Sequence, residues 1–303
     1  MPREPVPNLS RPAALTLLNG IVVLWGATGV LGRVISIRAI PLVWYRVVIV
    51  TVVLAVIMPL RGISIRVPLD KALRYAGVGA LIGIHWMMFY GSVKVAGIAT
   101  GVLTLSTGAF FTALVEPKVF GRRVRPGELV IGAVVVVGVA LLLQIEVHAS
   151  ALGLGLGLAS SLFSSVFGVF NGKIAPHEEP ERLVFYELAS ASIVVTLCFV
   201  VVPDQFVAPW QLSGADLGWL LVLAVLCTVV TQVLLVRVLR TVSPFTVAVA
   251  TNLEPVYALI MAALLFSGEE PLRPRFYVGT ALILALVIIT SARRARGAGA
   301  LRA

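Results

Sequence analysis

The chain has 303 residues, of which 59% are hydrophobic and only 13% charged, and its mean hydropathy is +1.02. That balance excludes an ordinary water-soluble globular domain and makes the lipid bilayer the solvent for most of the sequence. The net charge of +10 does not point to nucleic acid, because the cations sit in short loops between apolar runs rather than on one folded basic face.

Ten apolar stretches, each about long enough to cross ~30 Å of hydrocarbon as a helix, follow one another at 15–32, 40–60, 72–93, 97–120, 127–145, 150–172, 182–203, 216–236, 243–267 and 275–292. The joining loops reach about fifteen residues at most, too short for a soluble catalytic or ligand-binding domain. The first run is itself long enough to span, which predicts no separate cleavable signal, and Leu301-Arg302-Ala303 offers no prenylation cysteine. With a cytoplasmic N-terminus, eighteen of the 24 Lys and Arg residues fall on the cytoplasmic side. Arg33, Arg38, Lys94, Arg273 and Arg275 fall outside, and Arg46 lies within a span. This positive-inside bias predicts a multi-pass protein of the cell (cytoplasmic) membrane with both termini in the cytoplasm.

The polar residues inside the spans carry the functional reading. Trp25 stands in span 1, and Tyr45 and Arg46 in span 2. Arg46 lies ~9 Å below the outer edge, where it is placed to meet anionic groups or to snorkel. In span 3, His85 is the one histidine inside a span; it is read either as a proton carrier or as an interhelical hydrogen-bonding group. Glu116 and Lys118, near the inner end of span 4, are expected to snorkel or to pair locally. Span 6 carries small residues every fourth position, Gly153, Gly157, Ser161 and Ser165, on one helix face, a strip for close helix packing. Span 7 holds Tyr186 and Glu187. Glu187 lies ~8 Å inside the cytoplasmic edge, so its backbone and that of Arg46 differ by more than ~10 Å in height and the two are not predicted to pair.

Span 9 holds the deepest charge. Glu254 is about eleven residues, ~16 Å, along the helix and near the midplane, where a carboxylate costs about 2.5–3.5 kcal/mol even on the mildest scales. Pro255 beside it removes a backbone N–H and predicts a kink. Glu254, Thr251 and Asn252 form the leading candidate site, with Tyr257, Trp25, Tyr45 and Tyr186 as aromatic candidates for an amphipathic cavity.

The two halves match internally. Residues 95–132 lie over 242–279 without a gap, pairing Thr104 with Thr251 and Gly121 with Gly268, and Leu42-Val43-Trp44-Tyr45-Arg46 matches Leu183-Val184-Phe185-Tyr186-Glu187. The predicted fold is therefore an all-α integral membrane protein of ten transmembrane helices. Residues 1–148 and 149–303 form two five-helix repeats; five crossings is an odd number, so the second repeat is inverted.

These residues resemble the EamA-type branch of the drug/metabolite transporter superfamily. The resemblance is clearest from Ser243-Pro244-Phe245 through Asn252-Leu253-Glu254-Pro255-Val256-Tyr257-Ala258 to Ser267-Gly268-Glu269-Glu270, with Leu24-Trp25-Gly26 and Arg46 as further matches. The first half departs from the family pattern at Gly108, opposite Pro255, and at Gly121-Arg122. The resemblance implies spans 1–4 and 6–9 around a central cavity, spans 5 and 10 at the periphery, and solute transport, often export of metabolites or amino acids.

Other chemistries lack their constellations. Cys198 and Cys227 both lie in apolar spans as small hydrophobes. His85, His148 and His177 are too few and scattered for a di-iron site, no cysteine pair has zinc spacing, and no nucleotide-binding glycine pattern follows a strand. No metal and no cofactor are expected. An intramembrane aspartyl-type enzyme needs two converging carboxylates, whereas Thr107 stands opposite Glu254 in the repeat. A sensor would carry a soluble output domain. The sequence thus predicts a secondary transporter of small zwitterionic or amphipathic metabolites working by alternating access, with protons as a candidate coupling ion, a non-transporting sensor or assembly subunit as the alternative, and monomer and homodimer both open.

Overall fold

The computed structural model describes residues 9–146 and 150–266, and these are helical with short connections. The helices are α1 (Arg11–Val34), α2 (Ala39–Leu60), α3 (Leu69–Leu105), α4 (Gly108–Phe120), α5 (Pro126–Glu146), α6 (Ala151–Ile174), α7 (Pro180–Val201), α8 (Gly214–Leu239) and α9 (Pro244–Leu265). Seven of them are long and apolar enough to cross a membrane. The predicted tenth span, 275–292, lies outside the described residues.

Helix starts follow local chemistry. Ser10 and Ser150 cap α1 and α6 by accepting from the amides of Ala13 and Gly153, at 3.4 and 3.0 Å. Ser213 and Ser243 do the same for α8 and α9, satisfying first-turn donors that have no partner within the helix. Pro180 and Pro244 sit at first helical positions, where the missing N–H costs nothing.

Predicted spans 3 and 4 join without the expected loop. The chain turns at Gly97, whose φ of 83° and ψ of 168° only glycine adopts readily, and the second limb of α3 then runs on towards α4. Two helices are broken midway, at Ser106–Thr107 between α3 and α4 and at Asn252–Leu253 within α9. In the 95–132/242–279 register these breaks coincide to within one residue. The limbs before them end at Leu105 and Thr251, one residue apart in that register, and the limbs after them have 13 and 12 residues. In the same way α1 and α6 both have 24 residues and α2 and α7 both have 22.

The predicted small-residue strip of α6 packs against the second limb of α3 and α4. A Cβ on Gly153 would strike Ala96 and one on Gly157 would strike Thr104, while Ser165 Oγ donates to the Gly108 carbonyl at 3.0 Å. Close backbone approach of this kind holds helices together where lipid removes the hydrophobic drive.

Candidate functional site

A cavity of about 110 Å³ lies where α1, α2, α3, α4, α6, α8 and α9 meet. Of the predicted residues, Trp25, Arg46, His85, Thr251 and Glu254 line it. Gly26 sets this arrangement: its missing Cβ lets α1 touch the backbone of α9 at Glu254 and Ala258, which brings Trp25 and Glu254 to one wall.

Arg46 is 2% exposed. Its Nε donates to Thr228 Oγ1 at 2.7 Å, its Nη1 donates to Tyr90 Oη at 3.0 Å, and its guanidinium carbon lies 3.8 Å from the Trp86 ring centroid. Among the described residues no carboxylate forms an ion pair with it. A buried cation held at close range only by hydroxyls and a ring face, with Glu254 as its carboxylate neighbour at longer range, favours a closer anion beside it. Thr228 is aimed at Arg46 by a π-helical stretch, Val222–Val230, in which its hydroxyl also donates to the Leu223 carbonyl five residues back at 2.7 Å. Single π turns of this kind cluster at functional sites.

Glu254 is 4% exposed, and no described residue hydrogen-bonds its carboxylate. It occupies the first turn of the limb after the α9 break. His85 is fixed from α6: its Nδ1 lies 2.9 Å from the Ser160 carbonyl oxygen, and Ser160 Oγ donates to the His85 carbonyl at 3.1 Å. With Nδ1–H assigned as the donor to Ser160, Nε2 is the imidazole's acceptor atom.

The other predicted residues stand apart from the cavity. Glu187, 1% exposed, accepts from Asn171 Nδ2 at 3.1 and 3.3 Å, and Arg46 and Glu187 make no contact, as their heights predicted. Tyr45 Oη donates to the Val207 carbonyl at 2.7 Å, Tyr186 Oη to the Ile65 carbonyl at 2.9 Å and Tyr257 Oη to Asn19 Oδ1 at 2.9 Å. These three tyrosines fasten loops and helices together. Asn252 is buried at the α9 break, and its amide has no hydrogen-bond partner among the described residues. The sequence reading passed over Thr28, Thr228 and Gln232. Thr228 and Gln232 are four apart, hence on one helix face, in a largely apolar run whose other hydroxyl is Thr231, and that spacing was the available signal.

Polar pairs tie neighbouring elements together at both ends of the bundle. At the end shared by the α2–α3, α4–α5, α6–α7 and α8–α9 loops, Arg61 and Arg237 reach Glu181 at 2.8 and 3.5 Å, and Arg122 reaches Glu116 and Glu128 at 3.2 and 2.9 Å. Glu116 also accepts from the Phe245 amide at 2.9 Å, so its partners are Arg122 and α9 rather than Lys118. Partial burial pushes the Glu178 carboxyl up, but Lys71 Nζ at 2.7 Å outweighs this and holds it below its ordinary value. At the opposite end, Asp216 accepts from the amide and hydroxyl of Ser36, both at 2.7 Å, and Lys94 Nζ donates to the Ile35 carbonyl.

Residues 151–292 match the model of the EamA-like transporter family. This segment is an EamA-like transporter domain. The resemblance read from the span 9 residues is thereby borne out for this segment, and seven helices among the described residues are long and apolar enough to cross a membrane. The EamA-like segment contributes Ser161, Thr228, Gln232, Thr251 and Glu254 to the region around the cavity, while Trp25, Arg46 and His85 come from before it. A solved crystal structure shares the fold of the whole chain, with a TM-score of 0.71 at 18% identity over 97% of this chain and 100% of the other. No curated protein matches the chain.

Proposed function

We propose that this EamA-like chain is a secondary transporter that exports small zwitterionic metabolites, such as amino acids, from the cytoplasm. The observation that carries this reading is a buried Arg46 and a buried Glu254 that line one cavity and sense each other's charge without forming an ion pair among the described residues. Arg46 receives the substrate carboxylate, Glu254 the ammonium group, and Trp25 and Trp86 the apolar remainder. A cavity built this way rejects a substrate lacking either charge, because it would leave a buried group unpaired.

Paired helix lengths and aligned breaks support two inverted five-helix repeats, 1–148 and 149–303, and hence alternating access around one site. In the topology with both termini in the cytoplasm, the lining residues Leu239, Pro244 and Val247 lie on the inner side, and the Asp216–Ser36 latch lies on the outer side. The structure corresponds in this reading to the inward-facing state in a cytoplasmic membrane. Tyr45, Tyr186 and Tyr257 serve as fasteners, and Asn252 serves the α9 break.

Counterflow in proteoliposomes tests this with a pool of labelled amino acids and small amphipathic metabolites. The expected result is exchange of a zwitterion against preloaded unlabelled compound, reduced at least about tenfold in Arg46→Lys, whose ammonium lacks the planar fork that spans Thr228 and Tyr90. Exchange of uncharged compounds only, or full activity in Arg46→Lys, would overturn the assignment.

A further inference from the structure

A second hollow, of about 590 Å³, lies on the outside of the bundle between the start of α3 and the end of α6. Its wall is apolar: Leu73 and Phe170 are exposed along it, and Val78 and Leu81 lie behind them. Gly77 opens it, since a Cβ there would meet no atom within 4 Å. One end of the hollow carries Lys71, Arg74, Lys173 and His177, with Glu178 as its single lining carboxylate.

Lys71 is taken by Glu178 at 2.7 Å, which leaves the other cations without strong anionic partners. Among the described residues Arg74 pairs with Asp70 alone, at 3.9 Å on an exposed helical turn. Lys173 donates to the Val119 carbonyl at 3.0 Å, a dipole rather than a charge. The contrast is with the same end of the bundle elsewhere, where Arg61, Arg122 and Arg237 are engaged by buried carboxylates. In addition, Tyr75 Oη is buried in the floor beside Glu178, so a polar group is set into an otherwise apolar wall.

We propose that this groove binds an anionic phospholipid. Its phosphate sits against Arg74 and Lys173 and an acyl chain lies along Leu73, Gly77 and Phe170. An apolar channel ending in under-neutralised cations suits that ligand and no other component of a bilayer: a zwitterionic lipid brings its own cation to the same place. The site is separate from the central cavity and independent of what the protein transports.

Native mass spectrometry of the full-length protein in detergent, with phosphatidylglycerol and phosphatidylethanolamine of identical chains in competition, is the test. Wild type is expected to retain phosphatidylglycerol with roughly tenfold preference, and Arg74→Ala/Lys173→Ala to fall to about equal retention. Lys118→Ala/Arg123→Ala removes the same charge from exposed positions at the same end of the bundle and is expected to keep the preference. Equal retention of both lipids by wild type overturns the site. So does a preference that survives Arg74→Ala/Lys173→Ala, or one lost equally in the control pair, which would show diffuse attraction to surface charge.

Discussion

Arg46 Nε and Thr228 Oγ1 are 2.7 Å apart, and the threonine hydroxyl that accepts this bond spends its own proton on the Leu223 carbonyl. One side chain thus joins the buried cation to the π-helical stretch of α8, so the geometry of the guanidinium and the irregularity of the helix are a single feature. Replacing Thr228 by Val keeps the shape and removes the acceptor. The buried charged donor is then unsatisfied, and stability falls by about 1–3 kcal/mol. Thermal unfolding in detergent is expected to show that loss for Thr228→Val and little change for Thr228→Ser.

In a proton-coupled form of the proposed cycle, Glu254 is the candidate coupling carboxylate. In Glu254→Gln the side chain keeps its volume and loses its charge. Counterflow is expected to become insensitive to an imposed pH gradient, while binding of the exchanged zwitterion persists but weakens about tenfold or more. Transport in the variant that still follows the gradient would move the coupling group elsewhere, with His85 next in line.

In the proposed alternating-access cycle, outward opening releases the Asp216 clasp on Ser36. Cys227 is 1% exposed and lies one residue from Thr228, beside the Arg46 guanidinium, which makes it a natural reporter for that event. In a Cys198→Ala background, Asp216→Ala is expected to speed labelling of Cys227 by a membrane-impermeant maleimide from the Asp216 side by roughly tenfold, the effect of a ~1.4 kcal/mol shift between states. An unchanged rate would show that the clasp is not part of the gate.

The depressed pKa of Glu178 gives stability a defined pH dependence. Its ionised form is favoured in the folded protein, so the contribution is complete above the ordinary value of 4.5 and is lost as pH falls through the lower folded value. Unfolding temperatures measured between neutral pH and pH 4 and below are expected to drop less steeply in Lys71→Met, where the hydrogen bond that lowers the pKa is gone.

The membrane-spanning segments were readable because hydrocarbon thickness and backbone satisfaction permit little besides apolar helices of set length. Arg46, Glu254, His85, Thr251 and Trp25 were readable for a related reason, since polar and aromatic groups deep in a span are rare and conspicuous. Glu187 was just as conspicuous and lies off the cavity, because a single neutral neighbour, Asn171, is enough to house it, and sequence does not say which face of α7 meets which helix. The continuity of α3 through Gly97 was hidden for another reason: one glycine with positive φ turns the chain without the polar loop that usually marks a turn. Thr228 escaped notice because its importance comes from an extra residue in a helical turn, which no residue type announces.

The two mid-helix breaks place Gly108 and Glu254, each at the start of a limb longer than three turns, against the same cavity. The leading end of each limb carries about half a positive charge from aligned peptide dipoles. The electrostatic character of the chamber is therefore written partly into the main chain. At each break the trailing end of the preceding limb, at Leu105 and Thr251, carries the opposite partial charge, so a variant stripped of the Arg46 and Glu254 side chains still presents main-chain dipole ends of both signs to the cavity.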